Sequence, residues 1–288
     1  MQQSDNLKIN LIKFYRVNVW SKIVGIPLIG ILLTEFNFQL ISLVILSALL
    51  ALAHSFSLND FFDFKLAKER NYISKISERY GEKIIESLIL LPFIFALIIG
   101  FYISSISFLI LFCYFSLSFL YSCPPFRLKR HYLLSILTCS ICMGGLLFLF
   151  GFFSLTTKLT FEAFVFFIIF FFYFMFVELV HQIDHMRIDK KSGIRSFPIT
   201  FGVNKTLSLL KFTQLIPLLI SIIALILNFR LHLIFTGSIF FCLLRIVKVE
   251  TVCKKKLNIK QLRKPYGFYE GLYYLLFLMG EHFSQIFP

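Results

Sequence analysis

The chain has 288 residues, of which 58% are hydrophobic and only 15% are charged. Soluble domains have about half of their residues apolar and about a quarter charged, so this composition excludes a soluble globular protein and indicates a polytopic membrane protein. The formal net charge of +14 would suggest nucleic-acid binding in a soluble protein, but the cytoplasmic loops of membrane proteins carry excess Lys and Arg. We therefore expect membrane lipid, and no nucleic acid, among the partners.

Apolar runs long enough to cross a bilayer, which takes about 20 residues, recur along the chain. They predict an all-α fold with about nine transmembrane helices, at residues 20–36, 39–57, 85–103, 105–121, 133–153, 162–180, 207–227, 231–247 and 268–286. The connecting loops are too short for a second domain, so we expect residues 1–288 to form a single domain. No small-residue cleavage pattern closes the first apolar run, so we expect no cleavable signal peptide.

Basic residues are concentrated in alternate connections. The basic segments are the N-terminus, Lys65–Lys83, Arg127–Arg130, Arg187–Lys205 and Lys248–Lys264. With nine helices, all of them fall on one side of the membrane, and the positive-inside rule makes that side cytoplasmic. We therefore expect a multi-pass protein of the cell inner membrane with a cytoplasmic N-terminus.

The second apolar run ends in a polar group formed by Asn59, Asp60 and Asp63. On a helix these three side chains project from one face, because they are three and four residues apart. Anionic groups at the end of a membrane helix are costly unless water, a cation or a partner charge is present. The group is either a polar helix end that meets water or part of a binding site.

A second polar cluster, from Glu178 to Gly193, ends the sixth predicted span on the same side. His181, His185 and Asp189 are spaced four apart and share a helical face, and Asp184 lies three residues beyond His181. Glu178 and His181 form an E-x-x-H pair, which can ligate a transition metal in a helix bundle. Two acidic clusters at one membrane face favour Mg²⁺ instead, since Mg²⁺ binds a few carboxylates and completes its shell with water and substrate phosphates.

A basic turn, Tyr121-Ser-Cys-Pro-Pro-Phe-Arg-Leu-Lys129, lies between the two acidic clusters. Its two prolines end the fourth predicted helix, so that Arg127 and Lys129 point towards the acidic groups. Taken alone, the turn is also typical of an ordinary loop. Taken together, the acidic clusters and the turn predict a site for a phosphorylated anion bridged through Mg²⁺, with an apolar tail among the helices. This combination suggests a lipid-like diphosphate substrate.

The three segments resemble the motifs of the UbiA-type intramembrane prenyltransferases, in the same order. Asn59-Asp60-x-x-Asp63 resembles their first aspartate-rich motif, and Tyr121-Ser-x-Pro-Pro-x-Arg127-Leu-Lys129 is similar to their basic loop. His181-Gln-Ile through Asp189-Lys-Lys-Ser-Gly193 resembles their second aspartate-rich region. The resemblance implies a nine-helix bundle around a central cavity, with the site opening on the cytoplasmic side.

The resemblance also implies a reaction, which is Mg²⁺-dependent transfer of a polyprenyl group from an allylic prenyl diphosphate donor to an acceptor. The expected acceptor is an aromatic or quinone precursor or another small molecule. The resemblance assigns catalysis to Asp60, Asp63 and Asp189. It assigns metal binding to Asn59, Asp60, Asp63, Asp184 and Asp189, and we expect substrate binding by Asn59, Arg70, Tyr121, Arg127, Lys129 and His185.

The sequence departs from the family pattern at two positions. Ala67 stands where a third Asp is usual, and His185 stands where another Asp is usual, with Asp184 displaced by one residue. One residue turns a side chain by about 100° around a helix, so Asp184 would reach the metal only if the helix were broken there. Three alternatives therefore stay open: phosphoribosyl transfer to a polyprenyl phosphate, a non-catalytic isoprenoid-binding or scaffold relative, and a transporter.

Overall fold

The computed structural model describes residues 9–67, 71–227, 231–255, 262 and 266–286 of the protein. Within these ranges the regular structure is helical, and the only β-type pairing is an isolated bridge between His131 and Arg195. The α-helices are α1 Leu11–Phe14, α2 Val17–Trp20, α3 Gly25–Leu32, α4 Phe38–Ala67, α5 Tyr72–Tyr80, α6 Glu82–Ile103, α7 Ser105–Ser122, α8 Tyr132–Cys139, α9 Leu147–Phe152, α10 Phe161–Lys191, α11 Phe197–Phe201, α12 Val203–Ile226, α13 His232–Lys255 and α14 Tyr266–Ile286.

Within the described part of the chain, seven helical segments are long and apolar enough to cross a membrane. They are Phe38–Leu66, Glu82–Ile103, Ser105–Ser122, Tyr132–Phe152, Phe161–Lys191, Val203–Ile226 and His232–Cys253. The first predicted span falls on a shorter apolar helical run, Val17–Leu32, and the last coincides with α14. The all-α membrane fold is confirmed, while the count of nine membrane helices stays a prediction.

The helices pack as a closed ring. Each neighbour contacts the next in the order α3, α4, α6, α7, α9, α10, α12, α13 and α14, and α14 returns to α3. A hydrogen bond of 2.8 Å from the His282 ring to the Leu32 carbonyl oxygen joins the ends of α14 and α3. The ring brings helices that are distant in sequence to the same membrane face, and it leaves a cavity between α3, α10, α13 and α14.

The contact between α3 and α9 depends on glycine. A Cβ atom built on Gly151 of α9 would overlap the backbone of Pro27 in α3, and one built on Gly30 would overlap the backbone of Phe148. Small residues allow membrane helices to approach until their backbones touch. This contact therefore fixes the distance between the first and the fifth predicted span.

Helix α4 continues well beyond the predicted span 39–57 and carries the first polar group within its last turns. The helix extends because Leu58 and Phe61 continue its apolar face, and both are buried against Ile73 and Ile76 of α5. Helix α5 is a short amphipathic helix, and the Asn71 side chain caps it by accepting from the Ser74 N–H at 2.9 Å. This packing holds Asn59, Asp60 and Asp63 on ordered helix rather than in a loop.

Candidate active site

Asp63, on the last turns of α4, is the centre of a buried ionic cluster. Its Oδ1 atom accepts from Arg127 Nη2 at 3.0 Å and from the Lys129 ammonium. Its Oδ2 atom accepts from the Asn59 side-chain amide at 3.2 Å, and the Asn59 Oδ1 atom accepts from Lys129 at 2.8 Å. The side chains of Asp63 and Lys129 are only 15% and 7% exposed, so water screens this cluster little.

The basic turn holds the Arg127 and Lys129 side chains against α4. The turn follows α7, contains a cis peptide bond between Pro124 and Pro125, and has Arg127 in the left-handed region with φ of 40°. A short 3₁₀ segment, Leu128–Arg130, follows. Burial raises the pKa of the Cys123 thiol at the start of the turn to about 12, although the nearby Lys129 ammonium acts in the opposite direction.

Arg127 keeps hydrogen-bonding capacity at the site. Its side chain is 8% exposed and uses Nη2 for Asp63, while its Nε atom is buried without a hydrogen-bond partner among the described residues. A guanidinium group binds phosphate oxygens through several N–H groups at once. The orphaned Nε–H group is therefore a donor that an oxyanion at this position can satisfy.

Asp60 lies one helical turn from Asp63 and has a different partner. Its Oδ1 atom accepts from Arg16 Nη1 at 2.9 Å, and its backbone carbonyl accepts from the Asn71 side-chain amide at 2.8 Å. Arg16 lies between α1 and α2, so the N-terminal segment closes one side of the site. Arg16 was not among the predicted site residues, because a basic residue near the N-terminus fits the positive-inside rule without further explanation.

The end of α10 supplies the second acidic region. Asp189 lies near enough to interact electrostatically with Lys129, which also interacts with Asp60. The backbone connects the two regions as well, because the Arg195 N–H donates to the Arg130 carbonyl oxygen at 3.2 Å. The acidic ends of α4 and α10 therefore both lie near the basic turn.

The two histidines of α10 lie beside this site. The rings of His181 and His185 are 4.2 Å apart between centroids, as expected for residues four apart on a helix. Helix α10 is continuous through Asp184, so no break turns the Asp184 side chain towards the direction of Asp189. The Asp184 side chain therefore points in a different direction around α10 from a side chain at position 185, where the family pattern has Asp.

Glu178 forms a buried polar network behind the site. Its Oε1 atom accepts from Ser135 Oγ at 3.1 Å and from Gln182 Nε2 at 3.0 Å, and the Gln182 Oε1 atom accepts from the Phe197 N–H at 3.0 Å. Tyr121 reaches the same network, with its hydroxyl 3.5 Å from Ser135 Oγ. The network joins α8, α10 and α11. The hydrogen-bond partners of Glu178 are therefore Ser135 and Gln182. This differs from the alternative considered from the sequence, in which Glu178 and His181 bind a metal as an E-x-x-H pair.

A cavity of about 780 Å³ opens beside the ionic cluster, between the segment leading into α3 and helices α10, α13 and α14. Arg16 and His185 border it on the side of the cluster, and Ile29, Ile169 and Phe170 form an apolar part. The volume lies in the range of about 300–1,000 Å³ that is usual for small-molecule sites. The cavity can therefore hold an amphipathic molecule whose polar end lies near the acidic helix ends.

The wall between α13 and α14 contains a buried ion pair. Arg245 donates to Glu270 at 2.5 Å and to Gln214 at 2.6 Å, and the Tyr274 hydroxyl donates to Glu270 at 2.7 Å. The Arg245 guanidinium carbon lies 5.2 Å from the centre of the Tyr173 ring. This network was not predicted, although one charged residue inside each of two predicted spans was a signal for it.

The oxygen-rich donor set fits Mg²⁺ in a site that is shared with a substrate. Within the described ranges, no three His, Cys, Asp or Glu side chains converge on one point. Mg²⁺ does not need such a cage, because it commonly binds one or two carboxylates plus phosphate oxygens and keeps several waters. Asn59 and Asp63 on α4 and Asp189 on α10 would hold it together with an oxyanion.

The predicted site residues therefore divide by location. Those that the structure brings into direct hydrogen-bonded contact are Asn59, Asp63, Arg127 and Lys129. Those that lie around this cluster are Asp60, Tyr121, His185 and Asp189, and Asp184 lies on α10 next to His185. Arg70 lies outside the described residues. The roles of these residues stay predictions.

Comparison with protein families gives one match that covers most of the chain. The model of the UbiA prenyltransferase family matches residues 24–266. Among curated proteins, no sequence matches this chain.

Solved structures share the fold. The chain is similar to a UbiA homologue from Archaeoglobus fulgidus bound to DMAPP and Mg²⁺, with a TM-score of 0.77, 16% identity and coverage of 95% of this chain and 99% of the other. The same homologue bound to GPP and Mg²⁺ gives a TM-score of 0.78, 16% identity and coverage of 94% and 99%. A structure of digeranylgeranylglyceryl phosphate synthase gives 0.69, 19% identity and coverage of 93% and 95%.

Proposed function

Because the chain belongs to the UbiA prenyltransferase family, we propose that it transfers a polyprenyl group from an allylic prenyl diphosphate to an acceptor within the membrane, with Mg²⁺ as cofactor. The observation that carries the proposal is the convergence of two acidic helix ends on one basic turn. Asp63 of α4 contacts both Arg127 and Lys129, and Lys129 also interacts with Asp189 of α10. The solved relatives with a prenyl diphosphate and Mg²⁺ support the same assignment.

The protein's own residues bind and orient the donor. The Arg127 and Lys129 side chains bind diphosphate oxygens, and the buried Nε–H group of Arg127 gains an acceptor. Mg²⁺, when bound through Asn59, Asp63 and Asp189, supplies positive charge that stabilises the departing diphosphate. The aromatic and aliphatic cavity wall formed by Phe170 and its neighbours accommodates the prenyl chain and excludes water from the allylic carbon.

The reaction breaks the bond between the allylic carbon and the diphosphate oxygen. The bonding electron pair leaves with the diphosphate, where the fixed cations stabilise it. The acceptor then forms a new bond to the allylic carbon and releases a proton. We propose an aromatic or quinone precursor as the acceptor, on the strength of the family resemblance.

The distribution of charge supports an orientation for the site. The face that carries Asp63 also carries the basic turn and the basic ends of α5 and α10, including Arg79, Lys190 and Lys191. The positive-inside rule makes this face cytoplasmic. We propose a single-domain, multi-pass protein of the cell inner membrane with its N-terminus and its active-site opening on the cytoplasmic side.

The test is ligand-dependent stabilisation of the purified full-length protein in detergent. We expect a panel of allylic diphosphates to raise the melting temperature only when Mg²⁺ is present, because a ligand that binds the folded state alone stabilises it by about 2.7 kcal/mol at 100 times its Kd. Asp63→Asn should abolish this stabilisation. Glu250→Gln is the matched control, since Glu250 is an ion-paired carboxylate 43% exposed on α13 and outside the site.

The same measurement separates the alternatives. The engagement of the motif carboxylates by Arg16, Arg127 and Lys129 is also compatible with a non-catalytic isoprenoid-binding relative. That relative would be stabilised by prenyl diphosphates without Mg²⁺ and would release no diphosphate when an acceptor is added. Absence of stabilisation by any prenyl diphosphate in a folded sample would contradict prenyl transfer. Stabilisation by phosphoribosyl diphosphate would then favour phosphoribosyl transfer to a polyprenyl phosphate.

A further inference from the structure

Two histidines of α10 lie side by side at the border of the cavity. His181 and His185 both line the cavity, and both belong to the continuous helix Phe161–Lys191. Residues four apart on an α-helix project from the same face, and the centroids of the two rings are 4.2 Å apart. The helix therefore presents two imidazole groups to one accessible space.

The spacing of the two rings suits a metal chelate on one helix. Zinc sites of the H-E-x-x-H type use two histidines at positions i and i+4. Two imidazoles that bind one tetrahedral ion, with about 2.0–2.1 Å between zinc and nitrogen, have ring centroids about 5 Å apart. The separation of 4.2 Å is smaller by about 1 Å, and rotation about the side-chain bonds of either ring covers this difference.

The donor atoms select the class of metal. Imidazole nitrogen suits zinc, copper, nickel and iron, whereas carboxylate and carbonyl oxygens suit Mg²⁺. The family pattern has Asp at position 185, and this chain has His185 there, four residues after His181. Helix α10 therefore offers nitrogen ligands, while α4 offers the oxygen ligands Asn59 and Asp63. Binding of Mg²⁺ does not account for the pair of imidazoles.

The coordination shell of such an ion would stay partly open to the cavity. Because no three His, Cys, Asp or Glu side chains converge within the described ranges, the protein contributes two ligands and water completes the shell, as at zinc sites that keep an open position. Asp189 interacts electrostatically with His185, and a carboxylate near a bound cation is favourable. Two protein ligands hold an ion less tightly than the four of a structural zinc site, so the ion is exchangeable.

We propose that His181 and His185 bind one divalent transition-metal ion that prefers imidazole, such as Zn²⁺, at the border of the cavity and separately from Mg²⁺ on α4. The bound ion places a positive charge beside the cavity and presents its open coordination positions to it. The proposal concerns the metal alone, so it does not rest on the proposed prenyl transfer.

Metal titration of the full-length protein in detergent tests the proposal. The protein is purified without a polyhistidine tag and measured without prenyl diphosphate, and the exposed thiols of Cys113 and Cys253 are first alkylated so that they do not bind zinc. We expect the protein to bind one Zn²⁺ per chain in competition with a fluorescent chelator, and Mg²⁺ in large excess should not displace it. Cu²⁺ in place of Zn²⁺ should give an electron paramagnetic resonance spectrum with coupling to two imidazole nitrogens.

Variants assign the binding to the histidine pair. His181→Asn and His185→Asn should each weaken Zn²⁺ binding by at least about tenfold, because the ion loses one of its two protein ligands. Each should also remove one nitrogen coupling from the Cu²⁺ spectrum. His232→Asn is the matched control, since His232 is an exposed histidine at the start of α13 and does not line the cavity.

Three results would overturn the proposal. In the first, no Zn²⁺ binds. In the second, His232→Asn weakens Zn²⁺ binding as much as His181→Asn and His185→Asn do, so that binding does not depend on the pair. In the third, excess Mg²⁺ displaces Zn²⁺, which would place the ion on the carboxylates. If one histidine variant does not fold, the other variant and the Cu²⁺ spectrum of the unmodified sequence still decide the result. Failure of prenyl diphosphate binding would contradict the proposed function and would leave the metal titration unchanged.

Discussion

Asp63→Asn removes the anion that offsets two buried cations, and its effect on stability can be estimated from the structure. The side chains of Arg127 and Lys129 are 8% and 7% exposed, and both contact Asp63 Oδ1. Removal of one partner from a buried ion pair costs about 3–5 kcal/mol, because the other charge stays buried without compensation. The Asn side chain keeps one oxygen for hydrogen bonding, so we expect a loss of about 3 kcal/mol in the free energy of unfolding.

A double-mutant cycle tests whether this loss comes from the ion pair. Lys129→Met should cost about 2 kcal/mol, since Asp63 keeps its contacts with Arg127 and Asn59 while the lost hydrogen bonds were to charged groups. The double variant leaves one buried cation fewer than Asp63→Asn alone. It should therefore cost less than the sum of the two single variants by at least about 1 kcal/mol.

The assay is equilibrium unfolding in mixed micelles with increasing SDS, in the absence of Mg²⁺ and diphosphate. Lys211→Met is the control, because Lys211 and Glu250 are 33% and 43% exposed and a pair of this kind contributes about 1 kcal/mol or less. An Asp63→Asn cost no larger than that of the control would refute the buried cluster. Strict additivity of Asp63→Asn and Lys129→Met would refute the direct pairing.

Two further predictions concern helix packing and topology. Gly151→Ala should lower the free energy of unfolding by about 1–3 kcal/mol, since its methyl group would overlap the α3 backbone. Gly271→Ala is the control and should leave the free energy of unfolding unchanged, because a Cβ atom at this position meets nothing within 4 Å. Equal effects of the two variants would contradict the close contact between α3 and α9. In a Cys113→Ser background, a membrane-impermeant maleimide should label the exposed Cys253 only from the cytoplasmic face. It should not label Cys123, because burial raises the pKa of the Cys123 thiol to about 12 and the thiolate is the reactive form. Labelling of Cys253 from the opposite face would contradict the proposed orientation.

Hydropathy and motif spacing predicted much of this architecture, because each depends on local sequence. Membrane helices need long apolar runs, and these are visible without knowledge of the fold. The predicted span ended at residue 57, whereas α4 continues to Ala67, and the sequence alone does not show that Leu58 and Phe61 pack on α5. Apolar residues at helical spacing within a polar segment are recognisable as core only once their partner surface is known.

The site was predictable in its motifs but not in its pairings. The spacing placed Asn59 and Asp63 on one face, and the structure brings Arg127 and Lys129 to that face. The contact of Asp60 with Arg16 joins residues 44 positions apart, and no local pattern encodes such a distance.

The Arg245–Glu270 pair also constrains how the protein is assembled. A charged side chain inside a membrane helix is costly during insertion; Arg245 lies within the candidate span of α13, and its partner Glu270 lies in the second turn of α14. The two charges neutralise each other only when both helices are present, so α13 gains its counter-ion after α14 has been synthesised. Helix α14 therefore supplies the charge that balances Arg245, and a chain truncated before residue 266 would leave this buried arginine without its carboxylate partner.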